Sequence, residues 1–179
     1  MAKKRYGAET PLFRKFVPAP PIKPEIVHEY KVLDGKQVAN NIKQSVKNEI
    51  TNNNIQACLA VIMVGNNPAS QVYVNNKKKA CEEVGIKSLE FSLPEETTED
   101  ELLFFIDILN MRHDVNGILV QLPLPKHINE DNIIHRIDIR KDVDGFSATN
   151  IGKLWLGDYQ IAPCTPAGII ELLNYYNIN

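Results

Sequence analysis

The run Cys58-Leu59-Ala60-Val61-Ile62-Met63-Val64-Gly65 constrains the fold more than any other stretch. It is apolar without alternation and is stopped by Gly65-Asn66-Asn67-Pro68, so it reads as a strand over 56–64 with both faces buried. Such a strand wants parallel neighbours, and parallel neighbours need crossover segments between them. The flanking sequence supplies those segments. Asn67 before Pro68 is a helix start: a side chain that can accept from free N–H groups, then a residue with no N–H to lose. The helix 68–84 closes at Gly85. Lys87 to Leu93 alternates as a short strand. Thr98-Glu99-Asp100-Glu101 is a capping box that opens a helix to about Asn110, with Leu102, Phe105, Ile106 and Leu109 inward. Gly117-Ile118-Leu119-Val120-Gln121 is the next buried strand, and the prolines of Leu122-Pro123-Leu124-Pro125 forbid further central pairing.

The flanks continue the pattern. Asp34 can cap a helix whose apolar stripe is Val38, Ile42, Val46 and Ile50, ended by Thr51-Asn52-Asn53-Asn54. Asn129 can cap a helix over 130–138, residues 141–146 form a polar turn, and a short helix is expected around 149–155. Thr165 is read as the cap of a last helix, with Pro166 in its first turn and Ile169, Ile170, Leu172 and Leu173 as its apolar part. Strands that alternate with helices predict an α/β, three-layer domain: a mainly parallel sheet, helices on both faces, right-handed crossovers. No internal repeat is visible.

Residues 1–29 differ from the rest. Lys3, Lys4, Arg5, Arg14, Lys15 and Lys23 are opposed by Glu9 alone before Glu25, and Pro11, Pro18, Pro20, Pro21 and Pro24 prevent a continuous helix. An extended basic arm is expected there, followed by one domain over 30–179. The arm could dock on a partner or act as a targeting segment. The net charge of -2 gives no reason to expect nucleic acid, and no apolar run is long enough to span a membrane. Three widely spaced cysteines without a Cys-x-x-Cys pair point to free thiols in a reducing compartment, cytoplasm first and mitochondrial matrix second. Four histidines without ligand spacing predict no metal site.

On the helix after the first buried strand, Ser70, Tyr73 and Lys77 stand at i, i+3 and i+7 and share one face. A hydroxyl, a phenol and an amine thus project just past a strand's carboxyl end, where open α/β sheets bind ligands. Taken alone, each candidate has an ordinary structural explanation. Tyr73 and Lys77 would be a half-buried ring beside a solvated amine, Gln121 a backbone-bonded amide, Asp144 a turn residue and Thr165 a cap. Tyr-x-x-x-Lys is also the proton relay of short-chain dehydrogenases, but those carry a glycine-rich turn far upstream of the tyrosine. Here a proline-rich arm stands in that place.

The combination says more than the parts. The blocks VGNNPASQVYVNNKKKACEEVGI, GILVQLPLP, KDVDGF and PCTPAG occur in this order. In them the chain strongly resembles the bifunctional methylenetetrahydrofolate dehydrogenase/methenyltetrahydrofolate cyclohydrolase family, the one-carbon folate enzymes of the FolD type, from about Val32 to Asn179. The resemblance implies a folate pocket in which Tyr73 packs against and orients the pterin. Lys77 is then the catalytic amine, Gln121 tunes that lysine, Asp144 bonds the pterin edge and Pro123 lines the pocket. Ser70 and Thr165 would lie towards the cofactor side. The substrate would be a tetrahydrofolate and the cofactor NADP or NAD.

The residue types suit the chemistry. Dehydrogenation of 5,10-methylenetetrahydrofolate leaves a cationic methenyl carbon, and hydrolysis of that gives 10-formyltetrahydrofolate. Water attack needs a proton acceptor and ring opening a proton donor. A lysine amine partly withdrawn from water and facing a positive charge can serve as both near neutral pH. In the family a second, dinucleotide-binding Rossmann domain follows the last helix, and the resemblance implies a homodimer formed largely through that domain. No Gly-x-Gly-x-x-Gly occurs in the 179 residues, so that NAD(P)-binding domain is expected to be absent from the chain. Three expectations stay open: a portion of a normal enzyme, a shortened protein that keeps cyclohydrolase chemistry, or a non-catalytic relative that serves as a structural subunit of a larger assembly, tethered by the basic arm.

Overall fold

The computed structural model describes residues 32–178. The basic arm expected over 1–29 lies outside the described residues. In chain order the elements are α1 (Gly35–Asn52), β1 (Cys58–Val64), α2 (Pro68–Val84), β2 (Lys87–Leu93), α3 (Glu99–Met111), β3 (Gly117–Val120), α4 (Glu130–Arg136), α5 (Ala148–Leu156) and α6 (Cys164–Tyr175).

The strands form a sheet of order β2-β1-β3, with β1 central and both pairings parallel. The continuous apolar run of β1 is explained by burial on two sides. Ala60, Ile62 and Val64, with Ile118 and Val120 of β3, pack against Leu102, Ile106 and Leu109 of α3 and Ile133 of α4. Val61 and Met63, with Leu119, face the other way and pack against Val74 of α2. Helices therefore cover both faces of a parallel sheet, as the alternation predicts.

The local signals explain most element ends. Asn67 Oδ1 accepts from the N–H groups of Ala69 (2.9 Å) and Ser70 (3.2 Å), with Pro68 beside it. Gly85 ends α2 in the left-handed conformation at φ +92°. The capping box of α3 is complete: the Thr98 N–H donates to Glu101 Oε2 at 2.8 Å, and the Glu101 N–H donates to Thr98 Oγ1 at 3.3 Å.

Four details differ from the sequence reading. β1 begins at Cys58, whose N–H donates to Asn116 Oδ1 at 2.9 Å. α4 stops at Arg136, because Asn110 reaches across from α3: its amide donates to Arg136 O and its oxygen accepts from the Asp138 N–H, both at 2.9 Å. The apolar stripe of α1 is only partly used: Val38 is buried and Ile42 exposed, because the helix packs on α2 and α6 rather than on the sheet. Thr165 does not cap α6. The helix starts at Cys164 with Pro163 as its cap residue, and the first turn closes when the Ala167 N–H donates to Pro163 O at 3.1 Å. Thr165 is thereby drawn inside the helix, where its backbone can no longer adopt the extended cap conformation.

One further piece of backbone joins the sheet. The Ile118 N–H donates to Lys141 O at 2.8 Å, and Ile118 bridges Asp142 in parallel. The polar turn thus begins as a one-residue extension of the sheet beside β3. Gly117 permits the approach, since a Cβ there would lie 2.5 Å from Val143 Cγ1. Among the described residues no helix is long and apolar enough to cross a membrane.

Candidate functional site

Lys77 lies midway along α2. Its amine donates to Gln121 Oε1 at 2.9 Å. Gln121 follows β3 directly, and its N–H extends the ladder by donating to Ile62 O at 2.8 Å. The amide group is fixed as well: Gln121 Nε2 donates to Leu122 O at 2.8 Å, which leaves Oε1 turned to the lysine. A neutral acceptor therefore holds the amine without adding charge.

Asp144 follows the one-residue sheet extension. Burial pushes its carboxyl up from the ordinary aspartate value; the positive charge of Lys77 pulls the other way and the Asp142 carboxylate adds to the rise. Lys77 and Asp144 line one cavity of about 610 Å³, whose wall also includes Thr165 and, on its apolar side, Leu59, Leu119 and Val143. Tyr73 sits one helical turn before Lys77 on α2 and is 61% exposed, and the wall of the Lys77 cavity does not include it.

Two candidates stand elsewhere. Pro123 lines a separate hollow of about 310 Å³ with Gly65, Asn67 and Glu95, at the carboxyl end of the sheet. Ser70 is buried, and the wall of the Lys77 cavity does not include it. A dinucleotide needs free N–H groups at a helix start behind a glycine turn. At α2 those groups are taken by Asn67, and Pro68 has none. At α6 the first turn holds Pro166, which again has no N–H. The start of α2, its N–H groups already taken, does not fit a dinucleotide phosphate. Among the described residues no group of three or more His, Cys, Asp or Glu side chains could hold a metal ion.

Sequence reasoning treats 141–146 as a polar turn and misses what its other residues do. Lys141 Nζ donates to three carbonyls at the end of α3: Leu109 (3.0 Å), Asn110 (2.8 Å) and Arg112 (2.7 Å). Asp142 is 2% exposed. Its Oδ1 accepts from the N–H groups of Gly145 (3.0 Å) and Phe146 (3.3 Å), and its Oδ2 from the Ser147 N–H (2.8 Å) and Asn150 Nδ2 (2.9 Å). No local sequence signal marks Asp142, because its donors, spread from Gly145 to Asn150, meet the carboxylate only in the folded loop.

The sequence and the fold both have known relatives. Residues 33–144 match the family model for tetrahydrofolate dehydrogenase/cyclohydrolase, catalytic domain. The bifunctional protein FolD of Agathobacter rectalis is 58% identical over 151 residues, which cover 83% of this chain and 54% of that protein. That of Acetivibrio thermocellus is 53% identical over 154 residues, or 84% and 54%. Among solved structures, the bifunctional FolD methylenetetrahydrofolate dehydrogenase/cyclohydrolase of Campylobacter jejuni superposes with a TM-score of 0.79 at 50% identity, covering 83% of this chain and 54% of that one. The FolD enzyme of Trypanosoma brucei, complexed with NADP cofactor and an inhibitor, gives 0.78 at 30% identity, covering 83% and 52%. The chain spans about half the length of the curated relatives it matches. On this evidence the chain belongs to the tetrahydrofolate dehydrogenase/cyclohydrolase family and matches its catalytic domain over residues 33–144.

Proposed function

We propose that residues 30–179 form the folate-binding catalytic part of a methylenetetrahydrofolate dehydrogenase/cyclohydrolase, and that their own side chains hydrolyse 5,10-methenyltetrahydrofolate to 10-formyltetrahydrofolate in the cytoplasm. The observation that carries this reading is the 2.9 Å bond from Lys77 to Gln121 at a cavity shared with Asp144. An amine, a neutral amide and a carboxylate are what a cationic carbon beside an aminopyrimidinone requires.

Asp144 accepts from the adjacent N–H donors of the pterin edge, and Tyr73 packs on the ring system. Lys77 in its neutral form donates one N–H to Gln121 and keeps its lone pair for the attacking water. Water adds to the methenyl carbon as its proton passes to Lys77. The C–N5 bond of the adduct then breaks, the Lys77 proton goes to N5, and the hydroxyl proton leaves to solvent as the formyl C=O forms. The balance is one water consumed and one proton released, with nothing oxidised. Pro123, in the neighbouring hollow, is assigned to the rest of the folate molecule.

A nicotinamide dinucleotide, NADP or NAD, would accept the hydride in the dehydrogenase half. Lys77, Gln121 and Asp144 are assigned binding and proton transfer only. The test is hydrolysis of 5,10-methenyltetrahydrofolate by the purified chain with no nicotinamide added, followed by absorbance. Turnover above the uncatalysed rate is expected. A chain that binds no folate and leaves the spontaneous rate unchanged contradicts the reading.

A further inference from the structure

Asp142 has a buried carboxylate for which the proposed chemistry has no direct use. Burying an ionised carboxyl is costly unless donors replace water. Here four donors do so, and all come from Gly145 to Asn150, the residues that follow Asp144. Burial alone would raise the Asp142 carboxyl; the bonds from Ser147 and Asn150 outweigh it and hold the group below the usual carboxylate range, hence ionised. On its backbone side Asp142 is bridged to Ile118 of β3. Helix α5 has its own cap, since the Asn150 N–H donates to Ser147 Oγ at 3.3 Å, so starting that helix does not explain the carboxylate.

The consequence falls on Asp144. It lies between Asp142, tied to the sheet, and Gly145, whose N–H is tied back to the same carboxylate. Asp144 is thus flanked by two anchors, the Asp142 backbone on the sheet and the Gly145 N–H on the Asp142 carboxylate. We propose that Asp142 is a positioning residue: its carboxylate fixes the 143–147 loop so that Asp144 stays opposite Lys77, and folate affinity depends on it although it does not touch the folate. This rests on the folate reading above.

The test compares the full chain as wild type and as Asp142→Asn, which keeps the size but turns one acceptor into a donor facing donors. Two readouts are taken on folded protein: the Kd for 5-formyltetrahydrofolate, a stable folate with the same pterin edge, and amide hydrogen exchange. Affinity should fall about tenfold, the worth of one charge-assisted bond. Exchange should quicken at Gly145, Phe146 and Ser147 but not at Ile118 or Ile62. A purely structural role would lower the melting temperature and leave the Kd of the folded fraction unchanged; that result overturns the proposal, as does unchanged exchange in the loop. If Asp142→Asn does not fold, Asn150→Ala removes one donor and must move both readouts in the same direction, more weakly; no movement overturns the proposal. Wild type that binds no folate removes the folate reading, while the exchange result still decides separately whether Asp142 holds the loop.

Discussion

At Lys77 the chemistry rests on a pair, because the amine is aimed by Gln121 and the amide is aimed by Leu122 O. Gln121→Glu would put a negative charge against the amine, hold its proton, and remove the base needed for water attack. Hydrolysis should fall by about two orders of magnitude with folate affinity changed far less, as a split between kcat and KM would show. Asp144 sets a pH limit. Its carboxyl is raised by burial, and under the proposed function the ionised form is the one that accepts from the pterin. Affinity is full above that raised value and lost as pH falls through it, so binding should fail at a higher pH than the ordinary aspartate range of about 3.9 allows. Calorimetric titration of 5-formyltetrahydrofolate against pH checks this; a midpoint at or below the ordinary value contradicts it. Lys77, Gln121 and Asp144 can be singled out from sequence because each sits in a distinctive string. Asp142 and Asn150 cannot, because the donors that make Asp142 worth burying come together only once the loop has folded.

Among the elements, β3 and the segment beside it place the carboxylate, and Gly117 decides how close they come. Gly117→Ala would put a methyl 2.5 Å from Val143 Cγ1 and push the 141–144 segment off the sheet. The expected cost is about 1–3 kcal/mol in denaturant unfolding, with loss of folate affinity beside it. The helix starts at Asn67 and Thr98 are readable because cap and first turn are adjacent in sequence and act locally. The early stop of α4 is not, because Asn110 imposes it from another helix. Thr165 misleads for a related reason: Pro163 and Pro166 both look like a helix start, and the backbone bond to Pro163 O decides between them.

Over the whole molecule, several carboxylates favour the folded state at neutral pH. Bonds from Arg140 hold the Asp138 carboxyl at about 2, Arg112 holds Asp114 at about 2, and Asp142 is lowered by its loop donors despite burial. Acids depressed on folding give stability that is present above their unfolded values and lost as pH falls through the folded ones. Stability should therefore decline between about pH 4 and pH 2. Asp144 works in the opposite sense: its raised value means that protonation favours the fold, which offsets part of the loss at the upper end of that window. Urea midpoints from pH 6 downward check the slope, and a flat profile to pH 2 would contradict it. The α/β architecture is legible at this scale because burial on both faces leaves β1 no polar residue. The covering of the second face is less legible: α2 reaches Val61, Met63 and Leu119 through Val74, and a cavity remains along Leu59 and Val143. The most direct test of the account is methenyltetrahydrofolate hydrolysis by the chain with Lys77 changed to Met, assayed beside wild type at equal folded concentration. The account predicts a loss of at least about a hundredfold with folate binding retained; equal turnover by the two proteins would contradict it.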